Sequence, residues 1–291
     1  MERSRKDDLR IAILIPAGPR DDILDTLASV VRYADPRRVI LVIDDTQTLR
    51  HSGPEIRNLS SDITVIAAPT DAPGTYGGLW LKLAAGYRWI LERYEPRMVL
   101  RLDADALLIG EGIEEAAEEA FARASDVGLL GSFQYGPDGG RRDFTPAARC
   151  LRSEAGLRGW THPKRRRWTR RYLSYARMNG YIDGEHVLGG AYIHSYSAIK
   201  AIYDRGWFTH LPWLANSKVG EDHRMSLLTM AAGYRIGDFG APSDPLALCW
   251  QGLPAHPRDL LSSKKLVVHS VRYWDDLTEA YIRNIFANER K

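Results

Sequence analysis

Along the first half of the chain, short apolar runs alternate with longer stretches whose apolar residues return every three or four positions. Residues 11–17 (IAILIPA) form an apolar run ending at Pro16 and Ala17. Residues 21–34 then place Ile23, Leu24, Leu27, Val30 and Val31 at helical spacing behind acids in the first turn, which predicts a helix. Two runs rich in Val and Ile, 38–45 (RVILVIDD) and 62–69 (DITVIAAP), predict strands. Residues 76–94 predict an apolar helix, and 98–105 (MVLRLDAD) a fourth strand. An acidic segment, 111–124, has the pattern of a solvated helix, and 126–133 of another strand. Strands alternating with helices predict an α/β fold whose mostly parallel sheet is covered on both faces. Ligands of such sheets bind beyond the carboxyl ends of the strands. Asp44 and Asp45 end the second strand of this pattern and Asp103 and Asp105 the fourth, so both pairs are expected to open onto one crevice.

The second half is less regular. Residues 134–180 carry glycines, prolines and a basic aromatic stretch, and are expected to form an irregular excursion from the sheet. Residues 187–199 look like a strand entered through Gly189 and Gly190; 220–240 like a turn, a helix and a strand; and 264–274 like a late strand ending near His269. There is no internal repeat and no low-complexity linker. The expectation is one catalytic domain over 1–291. Residues 10–133 form one half, 134–275 an acceptor-side half with a basic insert at 158–177, and 276–291 a C-terminal helix.

Composition narrows the class. With 44% apolar and 26% charged residues in 291, the chain is of the ordinary soluble globular kind, and no apolar run approaches the length that spans a bilayer. The charged start MERSRKDDLR runs directly into the first strand, which argues against a secretory signal. Two cysteines, Cys150 and Cys249, are too few for a disulfide framework, and a cytoplasmic protein with reduced thiols is expected. A net charge of +3 does not demand a polyanionic partner. Its distribution is uneven, however: residues 158–177 concentrate Arg and Lys among aromatics, a composition that suits phosphates, nucleic acid or a membrane surface.

The chemistry centres on Asp103 and Asp105, separated only by Ala104 at the end of an apolar run. Buried carboxylates are costly, and two held this close repel unless a proton or cation lies between them. A divalent cation meets that need: oxygen ligands suit Mg²⁺ or Mn²⁺, and an added imidazole, for which His269 is the candidate, favours Mn²⁺. Glu221 and Asp222 precede an apolar helix. They suit either the positive end of a helix dipole or proton transfer. Each feature alone has an ordinary structural explanation; their order is more specific.

An IPA strand, then VIDD, LRLDAD, LGGAYI, GEDHRMSLL and a late histidine resemble the GT-A fold glycosyltransferases, particularly the family-2-like group that uses nucleotide-diphosphate sugars. The resemblance covers roughly residues 10 to 275. It implies that Pro16 and Ala17 line the nucleotide pocket, that Asp44 or Asp45 meets the base or ribose, and that Gly77, Gly78 and Lys82 mark a nucleotide-contacting helix start. It also implies that Asp103 and Asp105 bind metal and diphosphate, with His269 as a further metal ligand. Gly189 and Gly190 would lie beside the sugar and acceptor. Asp222 would act as the base, with Glu221 as its partner or alternative. The implied donor is a UDP-sugar by default, GDP remaining open, and inversion is expected, with retention open. The acceptor could be a small molecule, a glycan, a lipid or a nucleic acid.

Departures bear on this expectation. WQGLP lacks the Arg-Trp of the processive synthases' Q-x-x-R-W motif, which argues against a polymer-extruding synthase. IPAGPRDD stands where PAYN is usual, and 158–177 has no counterpart, so it could cover the site, contact an anionic acceptor or lie on a membrane. Two other readings fit less well. A sugar-phosphate nucleotidyltransferase would need a richer Gly/Arg loop than PAGPRDD, and a nucleic-acid-binding protein using 158–177 leaves both acid pairs unexplained. Acceptor choice is expected in 134–186 and 206–219, where Trp160, Trp168, Trp207 and Trp213 could stack on a ligand or simply pack.

Overall fold

Every residue of β1 (Ile11–Ala17) is buried, as befits a central strand covered on both faces. Ile11, Ile13 and Ile15 join a core with Leu27 and Val30 of α1 (Leu24–Tyr33), Ile56 of α2 (Pro54–Arg57), and Ile113 and Ala117 of α4 (Ile113–Arg123). Ala12 and Leu14 join the opposite core, with Trp80, Leu83 and Tyr87 of α3 (Tyr76–Leu91). The computed structural model describes residues 9–46 and 48–290. The charged leader 1–8, Gln47 of the segment after VIDD and the final residue of the expected C-terminal helix lie outside the described residues.

The main sheet has seven strands in the order β3 (Ile63–Ala67), β2 (Arg38–Asp44), β1, β4 (Met98–Leu102), β7 (Ala191–Ser195), β6 (Val127–Gly131) and β8 (Arg235–Asp238). Only β7 runs against the others; the remaining pairings are parallel. The fold is therefore α/β with a mostly parallel sheet, as the alternating pattern predicts. The order turns back between β1 and β4, which opens a crevice at the carboxyl ends of those strands. Because β7 is reversed, its first residue, Ala191, pairs with the last of β4, Leu102. The glycines preceding β7 thus arrive at the same edge.

A smaller sheet of β5 (Leu107–Leu108), β10 (Val267–His269) and β9 (Leu246–Leu248) lies beside this edge. Leu107, Ala247 and Val268 pack there against Leu260 of α9 (Pro257–Ser262) and Ile282 and Phe286 of α10 (Glu279–Glu289).

Several expected boundaries move. β4 stops at Leu102, so Asp103 to Asp105 occupy a turn rather than a strand. The segment 187–199 divides into β7 and α7 (Tyr196–Asp204), whose first turn is capped by Ser195 Oγ accepting from the Ala198 amide at 3.3 Å. The late segment divides into β10 and β11 (Tyr273–Trp274), and the expected C-terminal helix is preceded by β12 (Leu277–Thr278).

The largest correction concerns 134–180, which is mainly helical: α5 (Thr145–Ala155) and α6 (Pro163–Met178). Pro163 suits a first helical turn, and Trp168, Tyr172, Leu173 and Ala176 form a buried stripe at helical spacing. The dense basic residues on the opposite face dilute that stripe in a linear reading. Trp168 and Trp207 are therefore core residues, Trp213 packs partly buried against the same core, and of these four tryptophans only Trp160 is exposed. Cys150 and Cys249 are unpaired and half-buried. Among the described residues, no helix is long and apolar enough to cross a membrane.

Candidate functional site

The turn after β4 is stitched on both sides. The Asp103 amide donates to the Gly190 carbonyl at 2.7 Å, and the Asp105 carbonyl accepts from the Val271 amide at 3.0 Å. The pairing of β5 with β10 sets Val268 opposite Leu107 and so delivers His269 to the side of Asp105. Gly190 is required here: its φ is +101°, and a Cβ would lie 2.5 Å from the His269 ring. Such a backbone conformation and approach suit glycine alone.

The polar contacts of the two aspartates divide into outer and inner oxygens. Asp103 Oδ1 receives Arg101 Nη2 at 2.7 Å. Asp105 Oδ2 accepts from Ser270 Oγ and from Arg272 Nε, both at 2.7 Å. The other oxygens, Asp103 Oδ2 and Asp105 Oδ1, lie 3.5 and 3.3 Å from His269 Nε2. His269 Nδ1 is 2.8 Å from the Cys249 carbonyl. A carbonyl can only accept, so Nδ1 carries a proton and Nε2 is the nitrogen turned to the carboxylates. One atom from each of the three side chains lies within 4.8 Å of the other two. Two carboxylate oxygens and an imidazole nitrogen, turned inward and fixed from behind, fit a divalent cation.

Proton affinities agree with a strongly anionic centre. Burial opposes ionisation of Asp105, yet His269, Ser270 and Arg272 hold it well below the usual carboxylate range. Burial also opposes charge on His269, yet Asp105 and Asp103 raise its pKa.

Arg101 connects this centre to the start of α8 (Glu221–Ala231). It is only 1% exposed, and a buried guanidinium must be paired. Its Nη2 also meets Glu221 Oε1 at 2.9 Å, and its guanidinium lies 5.4 Å from the centre of the Tyr192 ring. Tyr192 in turn donates to Glu221 Oε2 at 2.7 Å. Burial pushes Glu221 up to about 8 against the pull of Arg101.

Asp222 is held differently. Oδ2 accepts from the Gly189 amide at 3.1 Å and Oδ1 from the His223 amide at 2.8 Å. Burial works against its charge, but His223 with its amide, His186 and Arg101 lower its pKa overall. His186, Asp222 and His223 are also close enough to hold an ion. There, however, His186 Nδ1 faces the Gly184 carbonyl at 2.7 Å and its Nε2 faces Arg142 Nη2 at 3.1 Å. Both ring nitrogens are engaged and one is beside a cation, so this group serves as backing for Asp222.

These elements surround a cleft of about 900 Å³. Pro16, Ala17, Asp45, Lys82, Asp103, Ala104, Asp105, Gly189, Glu221, Asp222 and His269 all line it. Lys82 forms an ion pair with Asp45 on its wall. No protein-family model and no curated protein matches this chain.

Four residues named from the sequence lie off the cleft wall. Asp44 is buried and accepts from the amides of Thr46 and His51 at 2.8 and 2.7 Å. Gly77 and Gly78 are buried at the start of α3, where added Cβ atoms would collide with the carbonyls of Leu214 and Pro73. Their bareness serves packing, and Gly74, Thr75, Tyr76 and Leu79 line the cleft there instead. Gly190 sits beneath His269.

Sequence reasoning assigned no role to Arg101, Tyr192, Ser270 or Arg272. A signal existed for Arg101, since a charge inside an apolar strand needs a partner. Ser270 and Arg272 carry no pattern of their own and become visible only when β10 is placed beside β5.

Proposed function

We propose that this protein is a metal-dependent GT-A-type glycosyltransferase that moves a sugar from a nucleotide-diphosphate donor, a UDP-sugar, to an acceptor hydroxyl with inversion. What supports it is the joint delivery of Asp103, Asp105 and His269, and of Glu221 and Asp222, to one cleft at the carboxyl edge of the sheet. A divalent cation held by Asp103, Asp105 and His269 would neutralise charge growing on a diphosphate leaving group.

The chain's own residues supply the rest. Pro16, Ala17, Asp45 and Lys82 form the wall for the nucleoside, and Lys218 and Arg272 add positive charge to the lining. Asp222, ionised and on the cleft wall, takes the acceptor's hydroxyl proton. The new bond forms to the anomeric carbon as the bond to diphosphate breaks on the opposite face. Glu221 is a positioning residue, since it holds Arg101, which holds Asp103.

The test is thermal stabilisation by a panel of nucleoside diphosphates and their sugars, each with Mn²⁺, Mg²⁺ or chelator. A ligand that binds only the native state raises its apparent stability. The expected result is a shift with uridine diphosphate that disappears with chelator; no shift with any member would overturn the proposal. Asp222→Asn should retain that shift and lose transfer by about 10²–10⁴-fold. A fully active variant would remove Asp222 as the base.

A further inference from the structure

The segment that contains α6 has an unusual surface. Residues 158–177 carry eight Arg and Lys residues, and no Asp or Glu occurs from 155 to 182. With its aromatic stripe turned inward, α6 leaves Lys164, Arg167, Arg170, Arg171 and Arg177 exposed. A groove of about 780 Å³ runs between the end of α5 and α6, lined by Arg152, Arg166, Arg170 and Arg177. Arg177 pairs with Asp183, and Arg166 stacks over Trp160 at 4.3 Å. Arg167 and Arg170 have no carboxylate partner among the described residues.

The same segment holds five of the ten exposed large apolar side chains among the described residues. Leu157 and Met178, both on the groove wall, are each 81% exposed, Ile182 is 67% exposed and Trp160 61%. Positive charge alone would suit any polyanion. Aliphatic side chains standing beside the charge are more selective, because they gain by entering the boundary between lipid headgroups and acyl chains. Single-stranded nucleic acid would instead call for free aromatic faces, and one face of the exposed Trp160 is taken by the Arg166 guanidinium.

We propose that this face docks on an anionic phospholipid bilayer. Lipid phosphates meet Arg170 of the groove and the neighbouring exposed guanidiniums of α6, Arg167 and Arg171, while Leu157 and Met178 on the groove wall enter the headgroup boundary. None of these residues lines the large cleft, so docking is independent of the glycosyltransferase proposal.

The experiment is co-sedimentation of the whole chain with vesicles of phosphatidylcholine alone, or with about a quarter of phosphatidylserine. Two variants accompany it: Arg167→Gln/Arg170→Gln/Arg171→Gln, and Leu157→Ser/Met178→Ser. All five side chains are exposed, and unchanged thermal midpoints would verify that both variants fold. The expected result is binding to the anionic vesicles only, weakened about 100-fold in the triple variant, since each basic residue near such a surface contributes about fivefold. The double variant should lose about tenfold. Absence of binding to anionic vesicles, or equal binding to neutral ones, would overturn the proposal. So would binding that is indifferent to Leu157→Ser/Met178→Ser and matched by single-stranded RNA, which would make the groove a general polyanion site.

Discussion

His269 is fixed by a carbonyl on one ring nitrogen and faced by two carboxylates on the other. Preorganisation of this kind means that a ligand lost is not replaced by a neighbour. Asp105→Asn keeps the shape of the side chain but removes the anion, so Mn²⁺ affinity measured by titration calorimetry should fall at least about 100-fold. Unchanged affinity would remove Asp105 from the metal centre. The carboxylates and the histidine were legible from sequence because charge beside apolar residues advertises itself. The role of Arg101 was not, because its second partner, Glu221, lies far along the chain. Nor can a sequence tell whether bare backbone at Gly77 and Gly78 faces a ligand or, as here, neighbouring carbonyls.

Three helices meet at Glu154 of α5, which binds Thr169 of α6 at 2.6 Å and Arg224 of α8 at 3.3 Å. It also accepts from Ser217 at 2.5 Å, beside the cleft, and pairs with Arg165 at 3.2 Å. Arg224 is wholly buried, so removing its anion should be severe. Glu154→Ala is expected to destabilise the fold by about 3–5 kcal/mol in urea unfolding; a loss below about 1 kcal/mol would mean that the pairing is dispensable. Short strands and α1, α3 and α4 were readable because one period dominates each. α6 was not, because its inward stripe is outnumbered by arginines whose place on the outer face only the packed structure reveals.

The two cores are joined through one sheet, and acid should reveal how tightly that sheet is sealed. His194 of β7 is fully buried between Tyr87 of α3 and Thr229 of α8, and burial lowers its pKa from 6.5 to about 3. The unfolded chain takes up this proton near pH 6.5, the folded chain only near 3. Stability is therefore complete above the first value and falls by up to about 1.4 kcal/mol per pH unit between them. Urea midpoints should drop over this interval, and less steeply in His194→Gln; equal slopes would assign the loss to other groups. The α/β class and the meeting of both acid pairs' strands at one edge were legible from alternation alone, whereas the reversal of β7 was not, since pairing direction depends on where the long excursion returns. That reversal has a further consequence. Gly131, the last residue of β6, pairs with Tyr192 of β7, and the Leu188 amide donates to the Ser132 carbonyl at 2.8 Å. The polypeptide between them leaves the sheet and rejoins it almost at the same point. Closing so wide a loop costs little more as it lengthens, so the outer side of this stretch is free to vary: evolution can lengthen or recharge the surface that α6 presents without shifting one register of the sheet beneath, provided that Trp168 and Glu154 keep its inner side tied to α8.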